Sequence, residues 1–180
     1  GHEKPVTPKD RIVMVGGRIG ADGIHGATFS SAALDESAPI QAVQIGDPIT
    51  QKRMFDFLLE ARDRGLYASI TDNGAGGLSS SVGEMARAAG GAKLDLAKAP
   101  LKYAGLAPWE IFLSEAQERM TLAVPEPRLA EFLELAARRE VEASQLHVAA
   151  AVAERTSDIE LEASAGQNPE GDGVVGLSVG

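Results

Sequence analysis

One stretch of the sequence, residues 69–87 (SITDNGAGGLSSSVGEMAR), restricts the fold more than any other. It reads as the end of a strand over residues 67–70, an acidic residue at Asp72, three closely spaced glycines and then an amphipathic helix. Ser81 and Glu84 have the spacing of a capping box, which predicts that the helix begins there. The sequence therefore predicts a strand–loop–helix junction with a carboxylate at its mouth.

The chemistry of this junction has two interpretations. Glycines let the backbone approach a ligand closely, and a helix N-terminus favours anions. The junction could therefore hold a divalent cation at Asp72 together with the phosphates that the cation neutralises. The same residues also suit an ordinary tight turn, and the loop alone does not decide between the two.

Composition narrows the classes of protein to which the chain can belong. Its 180 residues suit one domain with a sizeable core. Residues 1–10 are expected to be a tag remnant and leader, and residues 11–180 the domain.

With 17 Lys plus Arg against 26 Asp plus Glu, the formal net charge of −9 argues against nucleic acid or an anionic membrane as the main partner. The absence of cysteine excludes disulfides, thiolate zinc sites and a cysteine nucleophile. No apolar run has membrane-spanning length and no signal peptide is visible, so we expect a cytoplasmic protein.

Apolar patterns and breaker residues predict strands and helices in a mixed order. Strands are predicted at residues 11–15, 41–45, 92–96, 118–124, 146–152, 159–163 and 174–179. Helices are predicted after the N-cap Asp47, before Gly90, over 108–113 and over 125–139. The apolar face of the helix after Asp47 is predicted to include Met54, Phe55, Leu58 and Leu59. The fold class that follows is α+β: mixed α/β layers, with a mixed sheet flanked by helices.

A glycine-rich segment follows the first predicted strand. It matches neither the dinucleotide-binding fingerprint nor the Walker loop. Its backbone N–H groups could still cradle a phosphate, aided by an arginine. The candidate phosphate-binding residues are Gly16, Gly17, Arg18 and Gly20. A long irregular loop packed by its own turns is the favoured interpretation.

Two further positions place polar side chains next to predicted strands. Gln44 lies at the carboxyl end of its strand, where open α/β sheets present ligand-binding side chains. Glu115 and Gln117 place an acceptor and an amide just before another strand, which suits recognition of hydroxyl and amide groups. Taken by themselves, Glu115 and Gln117 also suit a plain polar loop.

Four motifs in this order resemble phosphoribosylformylglycinamidine synthase. They are residues 16–31 (GGRIGADGIHGATFSS), 43–48 (VQIGDP), 71–77 (TDNGAGG) and 114–120 (SEAQERM). More narrowly, residues 11–135 resemble the C-terminal-type domain of its synthetase half, whose fold is shared with aminoimidazole ribonucleotide synthetase. The resemblance implies an ATP-dependent C–N ligase of purine biosynthesis. Such an enzyme converts formylglycinamide ribonucleotide, with ATP and glutamine, to formylglycinamidine ribonucleotide.

The resemblance also implies roles for individual residues. Asp72 is expected to bind Mg²⁺, and Gln44 and the segment Glu115, Ala116 and Gln117 are expected to contact the ribonucleotide. Ala116 stands where the family usually has serine, so one hydroxyl contact is not expected here. These roles agree with magnesium chemistry, because Mg²⁺ is usually held by one or two carboxylates plus substrate phosphates. ATP would be the co-substrate, and activating an amide oxygen with ATP is phosphoryl transfer.

The resemblance finally implies that the chain is a fragment of a larger enzyme. The family's preceding domain carries the ATP-binding residues, further magnesium carboxylates and the proposed catalytic histidine. No catalytic residue is therefore expected in this chain, and the isolated domain is expected to be inactive. The implied partners are the ATP-binding half and a glutaminase subunit or domain, since a chain without cysteine cannot form the glutaminase thioester. Two alternatives are a non-catalytic structural or phosphate-binding copy of the same fold and a relative acting on another phosphorylated metabolite.

Overall fold

A computed structural model describes residues 6–24, 46–146 and, for the backbone alone, 174–177. The elements in chain order are β1 (Arg11–Gly16), α1 (Pro48–Asp63), β2 (Ser69–Asp72), α2 (Gly77–Ala89), β3 (Ala92–Asp95), α3 (Pro108–Leu113), β4 (Arg119–Val124), α4 (Leu129–Arg138), β5 (Ala143–Gln145) and β6 (Val174–Leu177). The strands predicted at 41–45 and 159–163, and all but the first residue of the one predicted at 146–152, lie outside the described residues.

A four-stranded sheet in the order β2–β4–β1–β5 forms the centre of the fold. Strand β4 is antiparallel to both of its neighbours, with Asp72 of β2 opposite Met120 and Gly16 of β1 opposite Arg119. Two strands that are antiparallel to the same strand run parallel to each other. The carboxyl ends of β1 and β2 therefore meet at the edge of the sheet where β4 begins.

The α+β class predicted from the sequence is confirmed. Helices flank the central sheet, and β3 and β6 form a second, antiparallel pair. The strand pairs in the described ranges are antiparallel, and parallel pairing within these ranges is limited to an isolated bridge between Ile19 and Leu101. Of the helices that the structure describes, none is both long enough and apolar enough to cross a bilayer.

Both faces of the central sheet are buried under helices. One face packs against α2, so that Met14 joins Val82 and Met85 in one apolar cluster. The other face packs against α1 and α4, where the rings of Phe57 and Phe132 meet edge to face with centroids 5.0 Å apart. Burying a large apolar side chain contributes about 1.5–3 kcal/mol, so these two clusters supply the main stabilisation of the domain.

Helix α1 begins as predicted but buries a different face. Its N-cap Asp47 accepts hydrogen bonds from the N–H groups of Ile49 at 3.0 Å and Thr50 at 3.3 Å. The prediction that Phe55 and Leu59 belong to the buried face is wrong, because they are 58% and 36% exposed. The residues of α1 that pack against the sheet are Met54, Phe57, Leu58 and Ala61.

Helix α2 ends where the sequence predicts but begins earlier. Gly90 closes it in a left-handed conformation with φ of 82°. The predicted capping box of Ser81 and Glu84 is wrong, since the helix begins at Gly77 after the N-cap Gly76. Ser81 lies inside the helix and is buried, because its hydroxyl is used in a tertiary hydrogen bond rather than a cap.

Two other boundaries differ from the predicted ones. Strand β2 begins two residues after the predicted start at 67 and includes Asp72. The helix predicted over 125–139 is divided into a 3₁₀ turn, Glu126–Arg128, and helix α4.

Candidate functional site

Three segments meet at the edge of the sheet where β4 begins. They are the glycine loop (residues 16–24), the Asp72 loop (residues 72–77) and the 114–118 segment. The glycine loop follows β1, the Asp72 loop follows β2, and the 114–118 segment precedes β4. The antiparallel pairing of β4 with both neighbours therefore brings motifs that are far apart in the sequence to one surface.

Hydrogen bonds join the glycine loop to the 114–118 segment. The N–H of Gly17 donates to the carbonyl of Glu118 at 2.9 Å, and the hydroxyl of Ser114 donates to the carbonyl of Gly20 at 2.6 Å. The two backbones are so close that a Cβ atom on Gly16 would lie 2.1 Å from the Glu118 carbonyl oxygen. The first glycine of the motif is therefore explained by packing of the loop.

Glu115 joins the 114–118 segment to the start of helix α2. Its side chain is almost fully buried, and its Oε1 accepts a hydrogen bond at 3.1 Å from the N–H of Gly76. A carboxylate at a helix N-terminus satisfies an unpaired N–H and interacts favourably with the helix dipole. Glu115 therefore binds the N–H of the N-cap residue, which is the role of Glu84 in the capping box predicted from the sequence. The two bonded residues are 39 positions apart, so a search for local capping motifs could not find this cap.

Asp72 presents its carboxylate to a pocket of about 200 Å³. Its Oδ1 accepts a hydrogen bond at 2.9 Å from the N–H of Gly74, whereas its Oδ2 accepts none from the described residues. An exposed carboxylate with one unused oxygen suits a hard cation such as Mg²⁺. The described ranges contain no group of three or more acidic or histidine side chains that could enclose a metal. A cation at Asp72 would therefore be held largely by water and ligand oxygens.

Ala116 and Gln117 line the same pocket as Asp72. Gln117 is exposed, and its Nε2 donates to the carbonyl of Glu115 at 3.0 Å. Ala116 is buried, and its N–H donates to the hydroxyl of Ser114 at 3.2 Å. The structure thus brings Asp72, Ala116 and Gln117 together. Gln44 lies outside the described residues.

The glycine loop borders a second cleft of about 350 Å³, which Gln117 also lines. The N–H groups of Gly16 and Gly17 already donate to the backbone carbonyls of Glu142 and Glu118. Arg18 lines the cleft, and its Nε donates to the carboxylate of Glu142 at 3.0 Å. Gly20 contributes no lining to this cleft. The hypothesis of a phosphate-binding loop therefore depends on the arginine rather than on a backbone cradle.

Two buried polar residues at the site were not foreseen from the sequence. Asn73 is 2% exposed; its Oδ1 accepts hydrogen bonds from the hydroxyls of Ser81 and Thr121, and its Nδ2 has no partner among the described residues. Arg119 is 3% exposed and donates to backbone carbonyls. The alternation of Arg119 and Thr121 with the apolar residues of their strand predicts an exposed polar face, so this pattern carries no signal for the burial of the arginine.

Comparison with known proteins identifies the domain. The family described as "AIR synthase related protein, C-terminal domain" matches residues 7–157. The chain belongs to this family. The phosphoribosylformylglycinamidine synthase subunit PurL of Methanopyrus kandleri is 44% identical over 141 residues, which are 76% of this chain and 20% of the relative. The chain spans about a fifth of the length of the curated relatives it matches.

Solved structures agree with this family assignment. The Thermotoga maritima PurL complexed with FGAR has a TM-score of 0.69 and 34% identity, covering 80% of this chain and 24% of that one. The same T. maritima protein complexed with ATP has a TM-score of 0.65 and 29% identity, covering 82% of this chain and 23% of that one. The resemblance to phosphoribosylformylglycinamidine synthase found in the sequence is confirmed.

Proposed function

We propose that this chain is the substrate- and magnesium-binding domain of a phosphoribosylformylglycinamidine synthase. The complete enzyme would be an ATP-dependent ligase that converts formylglycinamide ribonucleotide to formylglycinamidine ribonucleotide in purine biosynthesis. The single observation that carries this proposal is the shared pocket of Asp72, Ala116 and Gln117, a carboxylate and a ligand-facing segment brought together from separate motifs. The relative with 44% identity supports the class of enzyme, and the relative solved in complex with FGAR (formylglycinamide ribonucleotide), at 34% identity, supports the substrate.

In this proposal Asp72 would supply one carboxylate ligand to Mg²⁺, and water and phosphate oxygens would supply the others. Mg²⁺ neutralises phosphate charge when it is bound, and the chain's own residues orient the ribonucleotide beside it. Gln117 and Gln44 are proposed to bind the ribonucleotide. Arg18 lies at the adjoining cleft with 60% of its side chain exposed, and it is the proposed phosphate ligand of the glycine loop.

Other parts of the activity are proposed to belong to other parts of the enzyme. The ATP-binding residues and the catalytic residues would lie in a preceding half, and ammonia would come from a glutaminase subunit or domain. Residues 11–180 would then act as one domain of that cytoplasmic enzyme. Catalysis by the whole would depend on positioning and charge neutralisation at the boundary between the halves.

The test is the substitution Asp72→Asn in the complete enzyme. Asparagine keeps the shape and one oxygen ligand but removes the charge, so we expect turnover to fall at least about a hundredfold, or roughly 2.7 kcal/mol of transition-state stabilisation. Part of the loss should return at high Mg²⁺ concentration. Gln44→Ala and Arg18→Ala should instead raise the Michaelis constant for the ribonucleotide without changing the dependence on Mg²⁺.

Asp95→Asn is a matched control for Asp72→Asn. Asp95 also ends a strand and also accepts a hydrogen bond from the N–H two residues later, that of Ala97 at 3.1 Å, but it lies outside the pocket. We expect this control to keep turnover within about twofold, because Asp95 does not line the pocket. A tenfold change in turnover would correspond to about 1.4 kcal/mol. Unchanged turnover and unchanged Mg²⁺ dependence in Asp72→Asn would show that the Asp72 loop is only a turn.

A further inference from the structure

Arg119 places a buried guanidinium at the edge of the sheet where the three segments meet. Arg119 is 3% exposed, and in the described ranges it forms no ion pair with a carboxylate. Its Nε donates to the carbonyl of Ala116 at 2.8 Å, and its Nη2 donates to the carbonyl of Ser114 at 2.5 Å. Its Nη1 lies 3.7 Å from the sulfur of Met14.

Burying the charged side chain of Arg119 costs free energy that packing contacts alone do not offset. Removing a guanidinium from water disfavours its charged form, and this burial lowers the pKa of Arg119 to about 10, with the carboxylate of Asp22 acting in the opposite direction. The side chain is therefore still charged at neutral pH. Arginine is almost never fully buried unless its donors are satisfied, and charge-assisted hydrogen bonds are stronger than neutral ones. The hydrogen bonds to these two carbonyls therefore hold the Arg119 side chain in place.

The hydrogen bonds of the 114–118 segment alternate along its backbone. The carbonyls of Ser114 and Ala116 accept from Arg119, whereas the carbonyl between them, that of Glu115, accepts from the side chain of Gln117. The rigid fork of the guanidinium fixes two carbonyls of the segment. Ala116, Gln117 and Arg119 all line the pocket that contains Asp72, so Arg119 holds the segment at the wall of that pocket.

We infer that Arg119 is a positioning residue that sets the 114–118 segment for ligand binding without contacting the reacting atoms itself. This inference rests on the proposed function for the identity of the ligand, formylglycinamide ribonucleotide. The segment has neither helical nor strand structure of its own between α3 and β4. Its conformation therefore depends on hydrogen bonds outside regular secondary structure, and the local ones from Arg119 bind two of its carbonyls.

The test uses Arg119→Lys and Arg119→Met in the complete enzyme. Lysine keeps the positive charge but is a point donor that cannot reproduce the fork, and methionine keeps much of the length without any donor. We expect both variants to raise the Michaelis constant for the ribonucleotide at least tenfold, while that for ATP stays within twofold. We also expect hydrogen exchange of the peptide covering residues 114–118 to become at least tenfold faster. If the methionine variant does not fold, the lysine variant carries the test.

Leu135→Ala is the matched control for a merely structural effect. Leu135 is buried in the cluster on the opposite face of the sheet and makes no part of the pocket. Its truncation should lower stability while leaving the Michaelis constants and the exchange of residues 114–118 unchanged. A wild-type Michaelis constant in Arg119→Lys, or an equal rise in Leu135→Ala, would overturn the inference. If the wild-type enzyme does not use the ribonucleotide, the proposed function fails, and hydrogen exchange alone still decides whether Arg119 holds the segment.

Discussion

The substitution Gly77→Ala tests how tightly the Asp72 loop is packed against the 114–118 segment. Gly77 is the first residue of α2, has a φ of 56°, and a Cβ atom on it would lie 2.2 Å from the carbonyl oxygen of Ser114. The left-handed conformation costs an alanine roughly 1–2 kcal/mol, and relieving an overpacked contact costs roughly 1–3 kcal/mol more. We therefore expect Gly77→Ala to lower the free energy of unfolding by about 2–5 kcal/mol.

Two other glycines of the same region separate the two contributions. Gly90 also has a positive φ, 82°, but a Cβ on it would meet no atom within 4 Å, so Gly90→Ala should cost only about 1–2 kcal/mol. Gly83 lies inside α2, and a Cβ on it would also meet open space. Gly83→Ala should therefore stabilise the protein by about 0.5–1 kcal/mol, because alanine is the better helix former.

Urea unfolding of the chain can be followed by the helical circular dichroism signal at about 222 nm. The change in stability of each of the three variants is then measured as the shift in the urea midpoint at constant m-value. Equal losses in Gly77→Ala and Gly90→Ala would refute the close approach of α2 to Ser114. A loss in Gly83→Ala would show that this part of the helix is packed differently.

The remaining predictions concern Asp47 and the isolated chain. Asp47→Ala removes the side-chain cap of α1 and should lower Tm by roughly 2–4 °C in a domain of this size. Hydrogen bonds from Thr50 lower the pKa of Asp47, so the cap stabilises the folded protein fully above the unfolded pKa of about 3.9 and is lost as the pH falls through the lower folded value. The Tm difference between wild type and Asp47→Ala should accordingly vanish in acid, and a difference that persists at low pH would contradict the cap. The isolated chain, given ATP, formylglycinamide ribonucleotide, Mg²⁺ and ammonia, should release no ADP above background, whereas robust turnover would contradict the proposed division of labour.

Local patterns predicted the elements that are determined locally. The N-cap Asp47, the left-handed Gly90 and the strand at the start of the domain depend on a few neighbouring residues, and the structure has all three. The predicted face of α1 was wrong for Phe55 and Leu59, because the sheet decides which side of an apolar helix is covered. Helix periodicity alone cannot choose between adjacent apolar stripes.

The candidate site shows the same division between local and tertiary information. Asp72 and Gln117 were singled out from the residue types and from the resemblance, and the structure places both at one pocket. The role of Glu115 as the cap of α2 could not be read from the sequence, since the helix terminus and the carboxylate come together only in the folded chain. Arg119 was missed because a charged residue at a strand terminus is normally exposed.

The central position of β4 has a consequence for the synthesis of the chain. In the described part of the sheet, β2 pairs only with β4, and β1 pairs with β4 and β5. Both partners of β1, and the partner of β2, are therefore made later by the ribosome than the strands they complete. Contacts such as Arg11 with Val124 close a long loop, and such contacts slow folding.

A nascent chain that ends before residue 119 has two strands with unpaired edges, which are exposed to aggregation and to chaperones. The pocket that contains Asp72 and the first strand ladder of the central sheet should consequently form in the same step, after β4 has left the ribosome.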